Sequence, residues 1–465
     1  MAADEFFLTS RRERTSYGMH FIGQNIYYVI FYLYLQTFFT DIGIPALTVA
    51  AIALVVKIWD AVNDPIFGFL VDKIRFHKGK FVPWLRIALF AVPMTTILIF
   101  AIPNSLSLGV KIVWAIIAYL LWDISYTIVD VPILGLVTTL TDNQDERTSI
   151  MAIGRVAANL ATIFVAVLVP VVRVAIGGWL PTIILLSLIA FSTCIPIILT
   201  AKERIKPIDV KEDYRPRDMM NYLVNNKYLL IFYLALFIFY SSNLLSSSLS
   251  LYFARYCLGS ESMAVYISLA IMLPAVIMGI FLPRILRGID KFQFFFWSIV
   301  SMPVLGIISY FIGYSNPVVF FILTALRNIP FGAATVMMIM FAPDCAEYGK
   351  YKTGISAPGI TFALHTFTVK MMIAFSTAIG SAALAAAGFI SGEGVGQLAG
   401  FNSKLWGIYI LIPVIGALLS LPVFRLYRLR DKDVQVMARF NAGEIDRDEA
   451  NQQLSKGFLS SNSNK

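Results

Sequence analysis

Residues 55–65 read Val55-Val56-Lys57-Ile58-Trp59-Asp60-Ala61-Val62-Asn63-Asp64-Pro65. Three ionisable groups and a carboxamide interrupt a run that is otherwise apolar enough to lie in a bilayer. On a helix, Lys57, Asp60 and Asp64 stand at i, i+3 and i+7, so they share one face, with Asn63 beside them. Charged groups left in hydrocarbon are costly, so this face must turn toward a cavity, a partner or an ion. Two carboxylates and a carboxamide offer hard oxygens, which suit sodium or a proton. The leading reading is a cation site in a secondary transporter. On the competing reading, Asp60 and Asp64 pair with Lys57 or Arg155 to hold helices together.

The rest of the chain supports a membrane setting. Of 465 residues, 58% are hydrophobic and 14% are charged. A soluble domain carries roughly 25% charged residues. Residues 1–20 are polar and basic and run directly into a full-length apolar segment, so no removable signal peptide is expected. Cys194, Cys257 and Cys345 are far apart and read as small packing residues, not a disulfide framework.

Apolar runs of membrane length fall at about 21–40, 45–71, 83–103, 110–139, 148–172, 179–200, 228–254, 262–283, 293–313, 317–342, 357–389 and 405–427. Twelve spans put both tails on one side. Of the 37 lysines and arginines, 29 lie in the tails and even-numbered loops, four in the odd-numbered loops and four within spans. That bias places both termini in the cytoplasm. It also accounts for the net charge of +9 without nucleic acid as a partner.

The longest polar stretch, 201–227, divides the chain into an N-terminal half (1–200) and a C-terminal half (228–428), each of six helices. A tail, 429–465, follows and is expected to be a short helix and then disorder. Two such halves with cargo near the midplane between them form a transporter layout.

Other polar residues fall inside the spans. Thr127 and Asp130 share a face of span four. Arg155 and Lys370 are basic counterparts to the acidic cluster and can balance it or donate hydrogen bonds to a substrate. Tyr27, Tyr28, Trp59, Trp122, Tyr126 and Tyr252 are rings on which a sugar can stack, although membrane aromatics also serve as packing or interfacial residues. His20 and His365 can hydrogen-bond a sugar or carry a proton; packed, satisfied histidines are the competing reading. Asp72 with Lys73 and Arg75, and Asp142 through Arg147, carry opposite charges on neighbouring loops and are candidates for a gating latch. No phosphate loop, nucleophile triad or zinc spacing is present, so an enzyme is not expected.

Several of these blocks resemble the glycoside–pentoside–hexuronide:cation symporter family of the major facilitator superfamily, of which melibiose permease is the best-known type. The blocks are Trp59-Asp60-Ala61-Val62-Asn63-Asp64-Pro65 with Gly68 and Asp72, Asp130-Val131-Pro132, Asp344-Cys345-Ala346-Glu347-Tyr348-Gly349 with Lys352-Thr353-Gly354, and His365-Thr366-Phe367-Thr368-Val369-Lys370. The resemblance runs from about residue 17 to 428. It implies an all-α major facilitator fold of twelve transmembrane helices and import of sugars or glycosides on a sodium, lithium or proton gradient, with no other cofactor.

By position, the resemblance implies cation ligands at Asp60, Asn63, Asp64 and Thr127. It implies sugar-site and coupling roles for Asp130, Arg155 and Lys370. Tyr126, His20 and His365 join the substrate candidates. Lys57, Asp72, Arg147, Asp344 and Glu347 are the coupling or gating candidates. Three positions depart from melibiose permease: Asn25 replaces a sugar-gripping aspartate, Leu134 replaces a tryptophan, and His365 replaces a glutamine. Galactoside recognition like that of melibiose permease is therefore not implied; Asn25 is expected to contact the sugar.

The expectation is a cation-coupled sugar symporter of a bacterial inner membrane, acting as a monomer by alternating access. The alternatives are a related carrier of a modified or non-sugar substrate, such as a sulfonated sugar or a lysolipid, and a non-transporting membrane sugar sensor.

Overall fold

The computed structural model describes residues 8–74, 76, 79–141, 143–205, 216–286, 288–338, 340–355, 358–392, 396–455 and 458. Among them the fold is helical throughout, apart from one isolated bridge between Phe76 and Gly79. The first six helices are α1 (Arg11–Asp41), α2 (Ala46–Lys73), α3 (Val82–Phe100), α4 (Leu108–Leu140), α5 (Gln144–Ile176) and α6 (Trp179–Thr200). They are followed by α7 (Pro216–Asn225), α8 (Lys227–Asn243), α9 (Leu245–Ser248), α10 (Ser250–Tyr256), α11 (Met263–Ile285) and α12 (Lys291–Ile312). The chain continues with α13 (Pro317–Met338), α14 (Phe341–Thr353), α15 (Pro358–Ala386), α16 (Phe401–Arg425), α17 (Asp431–Asn441) and α18 (Arg447–Gln453). Nine helices among the described residues are long and apolar enough to cross a membrane.

Helix ends follow local chemistry. α1 begins about ten residues before the expected span because Ser10 and Glu13 form a capping box, which satisfies two otherwise orphaned N–H groups. The Glu13 carboxylate also takes both guanidinium nitrogens of Arg204, at 2.9 Å each. At α3 the backbone N–H groups of Lys80, Phe81 and Val82 donate to Glu203 at 2.7, 3.0 and 2.9 Å. A carboxylate is well placed there because a helix N-terminus is electropositive.

The seventh expected span, 228–254, is broken into α8, α9 and α10. The cause lies in Ser241-Ser242-Asn243 and Ser246-Ser247-Ser248. Ser242 Oγ donates to the Phe239 carbonyl at 2.8 Å, Asn243 Nδ2 to the same carbonyl at 2.8 Å, and Ser248 Oγ to the Leu245 carbonyl at 3.0 Å. Such side chains compete with the helical ladder and bend it.

The chain divides into two compact units. The first comprises Met1–Val210, Ser250–Ser268 and Gly380–Phe401; the second comprises Lys211–Leu249, Leu269–Ile379 and Asn402–Lys465. In the first unit, α1 packs against α5 and α6, while α4 packs against α2 and α3. Gly23 permits the α1–α6 approach, because a Cβ there would stand 2.5 Å from the Ala190 carbonyl oxygen and from Cys194 Sγ. In the second unit the core is aromatic: Tyr228, Phe232, Phe295, Phe341 and Tyr427 are all at most 1% exposed.

Over its described residues, 429–455 and 458, the tail is more ordered than expected; the end of the expected disordered stretch, 459–465, lies outside the described residues. The tail forms two helices, α17 and α18, and not one. Asn441 Nδ2 donates to the Glu347 carboxylate at 2.7 Å, and Phe458, 2% exposed, packs on Tyr228 and Tyr348. An apolar anchor and a set of tail-to-α14 hydrogen bonds hold a segment whose polar composition suggested disorder.

Candidate functional site

The acidic face of α2 meets α4 in the first unit. Lys57 Nζ lies 3.0 Å from Asp60 Oδ2 and 3.9 Å from Asp123 Oδ1. Asp60 and Asp123 are 4% and 3% exposed. One turn further along, Asn63 Nδ2 donates to Thr127 Oγ1 at 2.9 Å, and Thr127 Oγ1 donates to the Asp123 carbonyl at 3.1 Å. The Asn63 amide is thus oriented by α4. The Asp64 backbone lies in α2, and its side chain falls outside those described.

Asp60, Asn63 and Thr127 are brought to the α2–α4 contact, as three of the four expected cation ligands. Asp123 was missed. It lies four residues before Thr127 and seven before Asp130, so the spacing rule applied to α2 also puts it on the face they share.

The fourth carboxylate, Asp130, is held from α1. Gln24 Nε2 donates to Asp130 Oδ1 at 2.7 Å. The neighbouring Asn25 instead donates to the Phe21 carbonyl of its own helix at 2.9 Å. Asn25 is half-buried and Arg155 is exposed. Phe31 stacks on Trp122 at 3.5 Å, Trp122 on Tyr126 at 5.0 Å, and Tyr126 lies 5.7 Å from Tyr28. This ladder of rings from α1 and α4 runs beside the ionic residues.

Other candidates lie away from the α2–α4 contact. Tyr27 donates to the Ser187 carbonyl at 3.0 Å, and the Tyr252 hydroxyl is 2.6 Å from Thr40 Oγ1; both residues are buried. His20 is 1% exposed. It lines a cavity of about 20 Å³ with Gln24, Tyr27 and Cys194. In the second unit, His365 Nδ1 is 3.0 Å from the Tyr233 hydroxyl, and Lys370 is half-buried.

The gating candidates separate in the same way. Arg147 donates to the carbonyls of Thr141 and Thr138 at 2.8 and 3.2 Å and so caps α4. Its neighbour Glu146 accepts from the Thr9 backbone at 2.8 Å and from the hydroxyls of Thr9 and Thr141. Asp72 lies in α2, with its side chain outside those described. Asp344 pairs with Lys291 at 2.6 Å, and Glu347 holds the tail through Asn441.

A third ionic cluster joins α1, α5 and the 250–268 segment within the first unit. Asp41 takes Arg255 at 2.6 and 3.0 Å, Arg173 at 3.2 Å and the Trp179 indole N–H at 2.9 Å. Glu261 pairs with both arginines.

A helical membrane bundle with ionisable side chains buried between its spans is an arrangement that suits a secondary transporter. The chain belongs to the family described as MFS/sugar transport protein, whose match spans residues 16–431. It is similar to the uncharacterized symporter YnaJ of Bacillus subtilis, 28% identical over 92% of this chain and 94% of that protein. It is also similar to the isoprimeverose transporter of Lactiplantibacillus pentosus, 26% identical over 92% of this chain and 90% of that one. The crystal structure of the nucleoside transporter NupG has the same fold, with a TM-score of 0.64 and 12% identity, covering 90% of this chain and 100% of that one. The protein is thus an all-α, multi-pass sugar-family transporter of the major facilitator superfamily, with glycoside–pentoside–hexuronide-type relatives, and not an enzyme.

Proposed function

We propose that the protein is a cation-coupled sugar or glycoside symporter of a bacterial inner membrane. In this reading it has both termini in the cytoplasm and works as a monomer by alternating access. The observation that carries the reading is the buried α2–α4 site, where Asp60 and Asp123 share Lys57 beside the Asn63–Thr127 pair. Ionisable residues buried in membrane spans mark ion pathways, and coupled transport is an activity that uses one. Asp60, Asn63, Asp64 and Thr127 are the proposed ligands for sodium, lithium or a proton. Asp130, set by Gln24, binds sugar hydroxyls, and the Tyr28–Tyr126–Trp122 rings offer a stacking surface. Asn25, Arg155, His365 and Lys370 complete the substrate candidates.

Cation binding neutralises the acidic face and so permits the sugar-loaded protein to change conformation. The test is uptake into proteoliposomes of glucosides, galactosides, xylosides and glucuronides under imposed sodium or proton gradients. One sugar class should accumulate above equilibrium, and Asp60→Asn should lower that accumulation at least 100-fold. Accumulation of only a sulfonated sugar or lysolipid would replace the proposed cargo. Undiminished accumulation by Asp60→Asn would remove Asp60 from coupling.

A further inference from the structure

We infer that the cavity enclosed by α1, α3, α4 and α6 seats one ordered water, and that His20 acts through that water to set the Gln24 amide that holds Asp130. The positioning role rests on the sugar-symport reading above and deepens it, because it adds a group behind the proposed sugar-site carboxylate. The cavity is about 20 Å³, and its lining includes His20 and Gln24 from α1, Leu89 and Pro93 from α3, and Cys194 from α6. One water needs about 10–15 Å³ of such space and two to four polar partners.

Three groups supply those partners. Gln24 presents Nε2 to Asp130 at 2.7 Å, because an ionised carboxylate only accepts hydrogen bonds. That choice turns Oε1 the other way, and among the described residues this buried oxygen makes no hydrogen bond. His20 lies one turn earlier on the same face of α1. It is 1% exposed, and neither ring nitrogen makes a hydrogen bond of ordinary length to a described residue. Pro93 stands inside α3 and has no N–H, so the Leu89 carbonyl, four residues earlier, loses its helical donor. Buried polar groups of this kind are ordinarily satisfied, by protein or by water. A water that accepts from the His20 ring N–H and donates to Gln24 Oε1 and the Leu89 carbonyl makes three bonds, the usual number for a buried water. Most of the remaining wall is apolar, so the cavity would stay dry without these groups.

The consequence is orientational. An amide held on one side only can turn over and offer Oε1 to Asp130, which an ionised carboxylate cannot use. A water fixed on Oε1 removes that alternative. His20 is therefore a positioning residue that acts on Asp130 through the water and Gln24, and it does not touch the sugar.

The first test needs no sugar. The chain has three histidines, His20, His77 and His365. Full-length protein labelled with nitrogen-15 histidine in phospholipid bilayers therefore gives three rings for solid-state NMR, with His20 assigned by its loss in His20→Phe. Magnetisation from water protons should reach the His20 ring N–H at short mixing times. Ala88→Val, which adds bulk to the cavity wall, should reduce that transfer at least fivefold; if it does not fold, Val92→Ile makes the same test with a smaller addition. No transfer in the wild type means a dry cavity and overturns the inference, whatever the protein transports. Transfer that the filled cavity leaves unchanged overturns it too. The second test is equilibrium binding of the glycoside that accumulates in the uptake screen. His20→Phe should weaken binding at least fivefold in the wild-type background but less than twofold in the Gln24→Ala background, because it acts through Gln24. His20→Gln, which keeps a side-chain donor, should recover most of the loss. Equal factors in both backgrounds, or no recovery, would make His20 a packing residue and overturn the positioning role. If no glycoside accumulates, the symport reading and the positioning role fall together, and the NMR result alone decides the water site.

Discussion

Gln24 shows how one side chain can set the chemistry of another. Its amide places a donor 2.7 Å from Asp130, and a hydrogen bond to a charged group is worth about 1.5–3 kcal/mol. Gln24→Ala should therefore lower sugar affinity about 10- to 100-fold while leaving cation affinity within about twofold, measured by equilibrium binding of each ligand. Equal losses for both ligands would mean that Gln24 supports the helix contact and not the sugar site. At this scale the sequence was readable where spacing alone decides the outcome. Lys57 and Asp60 pair at i, i+3 as helical periodicity allows, and the same periodicity on α4 contains Asp123; the side chain of Asp64, the third member of the expected face, lies outside those described. Gln24 was not readable, because the choice between Gln24 and Asn25 as the partner of Asp130 depends on the rotation of α1 against α4. That rotation is set in part by Gly23 against α6, a contact between residues more than 160 positions apart.

Among the elements, α14 and the tail give the clearest pH-dependent signature. Asp344 lies outside the membrane spans. Burial pushes its carboxyl up from 3.8 to about 6, although Lys291 opposes the shift. A folded-state value above the unfolded one means that the folded protein holds this proton more tightly. The contribution of Asp344 to stability is therefore greatest at low pH, falls as pH rises from about 4 through about 6, and is level above that. The melting temperature of the wild type minus that of Asp344→Asn should decrease over this interval; a flat or rising difference would contradict the assignment.

Most membrane elements were legible because long apolar runs carry their own signal. The break in the seventh span was not, since hydropathy ignores the serine hydroxyls that bond to carbonyls within the helix. The second tail helix, α18, was not anticipated for a related reason. The tail's anchors, Met437, Leu454 and Phe458, are sparse apolar residues in a polar segment, and its hydrogen bonds run to α14 and the start of α12, neither of which composition reveals.

At the scale of the molecule, compactness does not follow the chain. The segments 250–268 and 380–401 belong to the first unit, and Asp41 is part of the reason. It is 6% exposed and is bonded by two arginines and an indole N–H. Removing one member of a buried ionic cluster costs about 3–5 kcal/mol, so Asp41→Ala should lower the melting temperature by several degrees and increase proteolysis between residues 250 and 268. Unchanged melting would show that the arginines find other partners. Arg173 and Arg255 were visible in the sequence only as the sparse positive charges of odd-numbered loops; their joint attachment to Asp41 depends on a tertiary contact that no local pattern encodes.

The central claim is that sugar entry and cation entry are one event. It is tested most directly by adding a transported glycoside to proteoliposomes without any imposed gradient while recording cation influx, as sodium-22 in one arm and internal pH in the other. Coupled transport predicts a sugar-triggered influx of one of the two cations, in fixed ratio to sugar and absent in Asp60→Asn. Sugar entry at the same rate with neither cation moving would contradict the account.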